Sequence, residues 1–215
     1  MPDESIDAPY PSNYFAREDS LDDGHFYDWP RRVVHIDEGA ITALRNLYME
    51  VLPKSGTLLD LMSSWRSHLP EGFTGAGDIS VVGLGMNAEE MADNPQLARH
   101  VVHDLNRAPE LPFSDASFDA AMCAVSVQYL TRPVEVFREV ARVLRPGAPF
   151  IVSFSNRCFP TKAVAIWQAG SDEHHIALVQ DYFTRAGGWN EAQVRAYQPG
   201  QSDPLFAVLS ARSAK

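Results

Sequence analysis

The stretch LPFSDASFDAAMCAVSVQYLTRPVEVFREVARVLRPGAPFIVSFS, residues 111–155, decides the fold. Within it, residues 118–125 form a short, nearly continuous apolar run between polar turns, the pattern of a strand buried on both faces. Thr131 offers an N-cap, and Pro133 falls in the first helical turn, where its missing N–H costs little. Val134, Phe137, Ala141 and Leu144 then recur at helical spacing. Glu135, Arg138, Glu139 and Arg142 take the opposite face, with opposite charges three apart. Pro146-Gly147 stops the helix, and residues 149–154 read as a second buried strand. A helix crossing between two such strands implies parallel pairing in a right-handed unit.

The same grammar extends in both directions. Toward the amino end, a helix from Asp37 or Glu38 to Leu52 carries the stripe Ile41, Leu44, Tyr48 and Val51 and closes at Pro53. Strands follow at residues 56–61, 79–83 and 98–103. Toward the carboxyl end come a short helix near residues 163–167 and a longer one opening at Ser171. Two strand-like runs follow, at residues 191–197 and 205–211. Alternating buried strands and helices predict one α/β domain with a mostly parallel sheet. Residues 1–30 are rich in Asp, Pro and aromatics (Tyr10, Tyr14, Phe15, Phe26, Tyr27 and Trp29). They predict a strap held by those rings, or a lid over a ligand pocket. The expected division is a strap or lid at residues 1–32 and a domain at residues 33–215.

At 215 residues and 45% apolar content the chain can bury one good-sized core. A net charge of −10 without a basic run argues against binding the nucleic-acid backbone or an anionic membrane surface. No apolar run reaches transmembrane length, and the acidic amino terminus is not a secretory signal, so a cytoplasmic protein is expected. Cys123 and Cys158 suit a reducing compartment, and their spacing points to neither a metal site nor a disulfide scaffold.

Leu111-Pro112-Phe113, Asp115, Ser117-Phe118-Asp119 and Arg142-Val143-Leu144-Arg145-Pro146-Gly147 resemble the second half of the class I S-adenosylmethionine-dependent methyltransferases, of the type 11, small-molecule kind. Ala148 stands where that family has a second glycine. The resemblance implies a Rossmann-like seven-stranded sheet in the order 3-2-1-4-5-7-6, with the last strand antiparallel. It implies S-adenosylmethionine across the carboxyl ends of strands one to four and a small-molecule acceptor over strands four and five. The family places a glycine-rich loop after the acid that matches Asp60. Here the three glycine positions hold Met62, Ser64 and Arg66, which marks an atypical subgroup. Either cofactor binding is lost at this loop, or the hydroxyls of Ser63, Ser64 and Ser67, with Arg66, replace the backbone contacts.

Further site expectations follow from the resemblance. Gly85 stands where the family has a ribose-binding acid, and Asn87, Glu89 or Glu90 can reach the diol instead. Asn87 also fits an N-cap, and both acids a first helical turn. Asp104 and Leu105 match the adenine contacts, although Asp104 also fits a plain turn. Ser126 borders the cofactor, and Gln128, Asn156 and Arg157 are the expected acceptor contacts. His35, Tyr129 and His68 are the candidate bases. Methyl transfer is an in-line displacement that proximity and alignment can carry, so a base is not obligatory. Two functions fit these residues: a methyltransferase acting on a small soluble molecule, or a catalytically inactive protein of the same fold that binds or assembles. Oligomeric state is not legible.

Overall fold

The computed structural model describes residues 10–11, 13–75, 78–198 and 200–214. The first nine residues of the expected strap and Pro199 in the turn before the last strand lie outside them. A short helix α1 (Asp23–Tyr27) is followed by α2 (Glu38–Val51), β1 (Gly56–Leu61), β2 (Ile79–Gly85), α3 (Ala88–Ala92), β3 (Arg99–Val102) and β4 (Ala120–Ala124). Then come α4 (Pro133–Val143), β5 (Pro149–Phe154), α5 (Ala165–Gln168), α6 (Asp172–Ala186), β6 (Gln193–Tyr197) and β7 (Leu205–Ala211). The seven strands form one sheet in the order β3-β2-β1-β4-β5-β7-β6. Strands β1 to β5 pair in parallel, and β7 runs antiparallel to both of its neighbours.

Both faces of the sheet are covered, which is why its central strands read as unbroken apolar runs. Leu59, Ala121, Phe150 and Val152 point to a core shared with Phe137 of α4 and Tyr182 and Phe183 of α6. Their neighbours Leu58, Ala120, Met122 and Ile151 point to the other core, with Leu44 and Tyr48 of α2. The signature around residue 111 has a structural cause. Arg142 on α4 donates to the carbonyls of Leu111 (3.0 Å) and Phe113 (2.9 Å), and Glu139 accepts from the Leu111 N–H at 2.9 Å. The loop before β4 is thus pinned to the helix after it.

Three local expectations change. Strand β4 begins at Ala120 rather than Phe118, which makes only an isolated bridge to Leu144. It ends before Val125, whose φ of +50° turns the chain off the sheet. Thr131 is not the N-cap of α4. That place is held by Arg132 without a side-chain cap, because the Thr131 hydroxyl and N–H are both engaged by Asn106. Val136 and Val140, not Val134, complete the buried stripe of α4.

Candidate ligand cleft at the carboxyl edge of the sheet

Parallel strands deliver their carboxyl ends to one edge, and there the described residues enclose a cleft of about 1140 Å³, counting its open mouth. Its floor is the ends of β1, β2 and β4. The loop after β1 forms one wall and the turn after β3 the other. Residues before α2 roof it, with Asp23, Tyr27, Arg31, Val33 and His35 on the lining.

The loop after β1 folds around Asp60, which is 3% exposed. The hydroxyls of Ser63 and Ser67 donate to its Oδ2 at 2.6 and 2.7 Å, and the Asn94 amide donates to the Ser67 hydroxyl. Burial pushes the Asp60 carboxyl up to about 6, against the pull of the two serines. Ser64 donates to Glu90, whose other oxygen accepts from the Arg31 N–H, so one α3 carboxylate joins loop to roof. The three serine hydroxyls expected to meet a ligand carboxylate are therefore already donating elsewhere. The Arg66 guanidinium stays exposed on the lining, 4.1 Å over the Trp65 ring. Met62 keeps a glycine-like φ of +58°. Gly85 cannot be anything larger: a Cβ there would lie 2.2 Å from the Ser63 carbonyl oxygen.

Across the cleft, Asp104 Oδ1 accepts from the N–H groups of Asn106 (2.9 Å) and Arg107 (3.2 Å), the turn role open to it from sequence. Its Oδ2 has no hydrogen-bond partner among the described residues. Leu105 is buried on the lining beside it. Asn106 ties three elements together. Its amide donates to Asp23 (2.9 Å) and to the Tyr129 carbonyl (3.0 Å), and its oxygen accepts from Thr131. Asn87 is the N-cap of α3, accepting from the Glu90 N–H, and it donates to the Tyr27 carbonyl of the roof.

The three candidate bases all line the cleft but differ in chemistry. Tyr129 accepts from the Phe159 N–H at 2.8 Å, and burial pushes its phenol up to about 12. Burial, reinforced by Arg45, lowers His68 to about 4. Burial also lowers His35, with Glu90 opposing, so its imidazole is neutral at pH 7. Its ring meets the Phe159 ring edge-on at 5.0 Å and has no hydrogen bond among the described residues.

Asp60, Ser63, Ser64, Asn87, Asp104, Leu105, Ser126, His35, His68 and Tyr129 thus converge on one cleft. The three expected acceptor contacts do not. Gln128 is buried beneath it, donating to the Val125 carbonyl at 3.0 Å. Asn156 is exposed, and Arg157 turns outward to pair with Asp203 at 3.0 Å. The turn after β5 presents Phe159 instead. Glu90, open from the sequence to either the diol or a first helical turn, is on the lining, and so is Met62 from the departed glycine positions. Sequence reasoning gave no role to Trp65 or Asn106, which also line the cleft. The sequence signal for Phe159 was weak, an aromatic followed by Pro160 just beyond a strand end.

Among the described residues no group of three or more His, Cys, Asp or Glu side chains is placed to hold a metal ion, and no helix is long and apolar enough to cross a membrane. Residues 71–152 match the family model described as a methyltransferase domain. That match begins just beyond the loop after β1. The chain is 29% identical over 118 residues to the ubiquinone/menaquinone biosynthesis C-methyltransferase UbiE of Laribacter hongkongensis, covering 54% of this chain and 47% of that protein. The chain spans less than half the length of the curated relatives it matches. Among solved structures it resembles an S-adenosylmethionine-dependent methyltransferase from Mesorhizobium loti (TM-score 0.58, 18% identity, 81% of this chain and 99% of that one). It also resembles geranyl diphosphate C-methyltransferase from Streptomyces coelicolor, solved with S-adenosyl-L-homocysteine (TM-score 0.57, 13% identity, 88% and 96%). Strand order, the antiparallel last strand and these likenesses agree: the chain has the class I, Rossmann-like methyltransferase fold.

Proposed function

We propose that the chain is an S-adenosylmethionine-dependent methyltransferase acting on a small molecule. The observation that carries this reading is the cleft itself. It sits where open α/β sheets bind ligands, with buried Asp60 on one side and the Asp104–Leu105 turn on the other. Oδ2 of Asp104 is a free acceptor for the adenine amino group, and Leu105 supplies an apolar face for the ring. Arg66 fits the methionine carboxylate, since the serines are engaged. Glu90, rather than a residue at position 85, is the carboxylate within reach of the ribose. The bound sulfonium supplies the activated methyl group. The chain supplies alignment, exclusion of water beneath the roof, and His35 as the available proton acceptor. In this reading the segment before residue 33 acts as a lid on a domain running from residue 33.

Calorimetric titration of the purified chain with S-adenosylmethionine and S-adenosylhomocysteine tests the reading. Both are expected to bind at one site. Asp104→Ala is expected to weaken both by about the 0.5–1.5 kcal/mol of one hydrogen bond. No heat with either ligand would sink the assignment.

A further inference from the structure

We propose that the acceptor is a carboxylate-bearing molecule with a flat apolar body, and that the Arg31 guanidinium pairs with its carboxylate. This rests on the methyltransferase reading of the same cleft and narrows it. Beyond the ends of β4 and β5 the cleft is lined by Val125, Tyr129 and Phe159, with Tyr27, Arg31 and His35 from the roof. Phe159 is the hub. Tyr129 stacks on it at 6.1 Å and 29°, His35 meets it at 5.0 Å and 90°, and the Arg31 guanidinium carbon lies 6.0 Å from its centroid. Aromatic walls of this kind fit a flat apolar body. Arg31 sets one positive charge beside them.

That charge has no counterion among the described residues. Arg31 is half-buried; its guanidinium donates to the Phe26 carbonyl and lies 3.8 Å over the Phe26 ring. Stacking covers one flat face of the guanidinium and leaves its N–H edge for a ligand. The neighbouring cations are matched. Arg17 donates to both oxygens of Asp23 at 2.8 Å, and Lys162 lies 3.1 Å from Asp19 and from Asp23, so two cations meet two carboxylates. Arg32 turns to Glu89 and Asp93, and Arg157 to Asp203. Glu90 accepts from the Arg31 N–H and the Ser64 hydroxyl, not from the guanidinium. It joins the loop after β1 to the roof, on the side where the methyltransferase reading gives it to the ribose.

A forked guanidinium matches the two oxygens of one carboxylate. A phosphate dianion would bring a second charge with no unmatched cation left to meet it. The net charge of −10 repels anions at long range, so a carboxylate here depends on the local pair. A neutral acceptor of the same shape forgoes that pair, and an ammonium would face Arg31 directly.

The test uses the full chain saturated with S-adenosylhomocysteine and three probes that share one ring: benzoate, benzamide and benzylamine. Their binding is followed by ligand-observed NMR. Benzoate is expected to bind about tenfold to a hundredfold more tightly than benzamide, with benzylamine weakest. Arg31→Gln keeps the backbone N–H that Glu90 accepts from. It is expected to bring benzoate down to the benzamide level, with benzamide and S-adenosylhomocysteine binding unchanged. Arg31→Lys, a point charge without the fork, is expected to fall between. Equal affinities, no binding of any probe, tighter benzylamine, or a benzoate preference that survives Arg31→Gln would each overturn the inference. Loss of benzamide binding alongside benzoate would also overturn it, since Arg31 would then only shape the roof. Weaker S-adenosylhomocysteine binding in Arg31→Gln would overturn it by giving Arg31 to the cofactor. In all these cases the wild type still binds S-adenosylhomocysteine and the methyltransferase reading stands. If the wild type does not bind it, that reading falls and this inference with it.

Discussion

Asp60 and Met62 show how single residues set the character of the cleft. Burial holds the Asp60 carboxyl at about 6 against an ordinary 3.8. The folded protein therefore binds that proton more tightly than the unfolded chain does, and Asp60 makes stability fall as pH rises through that window. Its ionised form costs about 3 kcal/mol at neutral pH. In urea melts between about pH 4 and 7, the unfolding free energy of the wild type relative to Asp60→Asn is expected to increase as pH drops. A difference that stays flat would refute burial as the cause. Met62 occupies a left-handed conformation at a cost of about 1–2 kcal/mol that glycine would not incur. Met62→Gly relieves that strain and loses some packing, so stability is expected to change by less than about 1 kcal/mol. S-adenosylhomocysteine binding is expected to tighten, because backbone can then approach the ligand. Equal or weaker binding would make the Met62 side chain a contact rather than an obstacle. The resemblance pointed to this loop as the departure, but not to what it does. Hydroxyls that donate to Asp60 or Glu90 look the same in sequence as hydroxyls aimed at a ligand.

The described residues between 10 and 37 act as an element in their own right, though most of them are in neither helix nor strand. Tyr10 donates to Asp181 and lies edge-on to Tyr182 at 6.1 Å. The Ala16 and Tyr14 carbonyls accept from the N–H groups of Ala165 (2.8 Å) and Ile166 (2.9 Å). Its electrostatic anchor is Lys162, 1% exposed, which lies 3.1 Å from both Asp19 and Asp23 and donates to the Leu21 carbonyl. Removing one partner from a buried pair strands the others, so Lys162→Met is expected to cost about 3 kcal/mol. Limited proteolysis should then cut within residues 10–37 at temperatures where the sheet is still folded. Unaltered cleavage would show that the aromatic contacts hold the segment without the lysine. The aromatics made this attachment legible in the sequence, whereas Lys162 did not stand out in Thr161-Lys162-Ala163. The strands and long helices were legible because each has one periodicity to satisfy. The outward turn of Arg157 was not, since it depends on Asp203, which is 46 residues away in sequence.

For the molecule as a whole, a net charge of −10 and a cleft lined by Asp60, Glu90 and Asp104 favour a cationic ligand. The two forms of the proposed cofactor differ in just this respect. S-adenosylmethionine carries a sulfonium, an ammonium and a carboxylate, for a net charge of +1. Its product has lost the sulfonium charge and is neutral overall. The sheet brings the ends of β1 and β2 and the turn after β3 to one edge, so the three acids act together on whatever lies between them. Solvent reaches the open mouth, so part of this attraction is exposed to salt, whose screening length falls from about 10 Å at 0.1 M to about 3 Å at 1 M. Titrations across that range are expected to show S-adenosylmethionine losing affinity steadily, while S-adenosylhomocysteine changes little. The ratio of the two dissociation constants should therefore converge as salt rises. Parallel salt dependence for both ligands would mean that the cleft carboxylates do not sense the sulfonium. Discrimination between substrate and product would then have to come from shape alone.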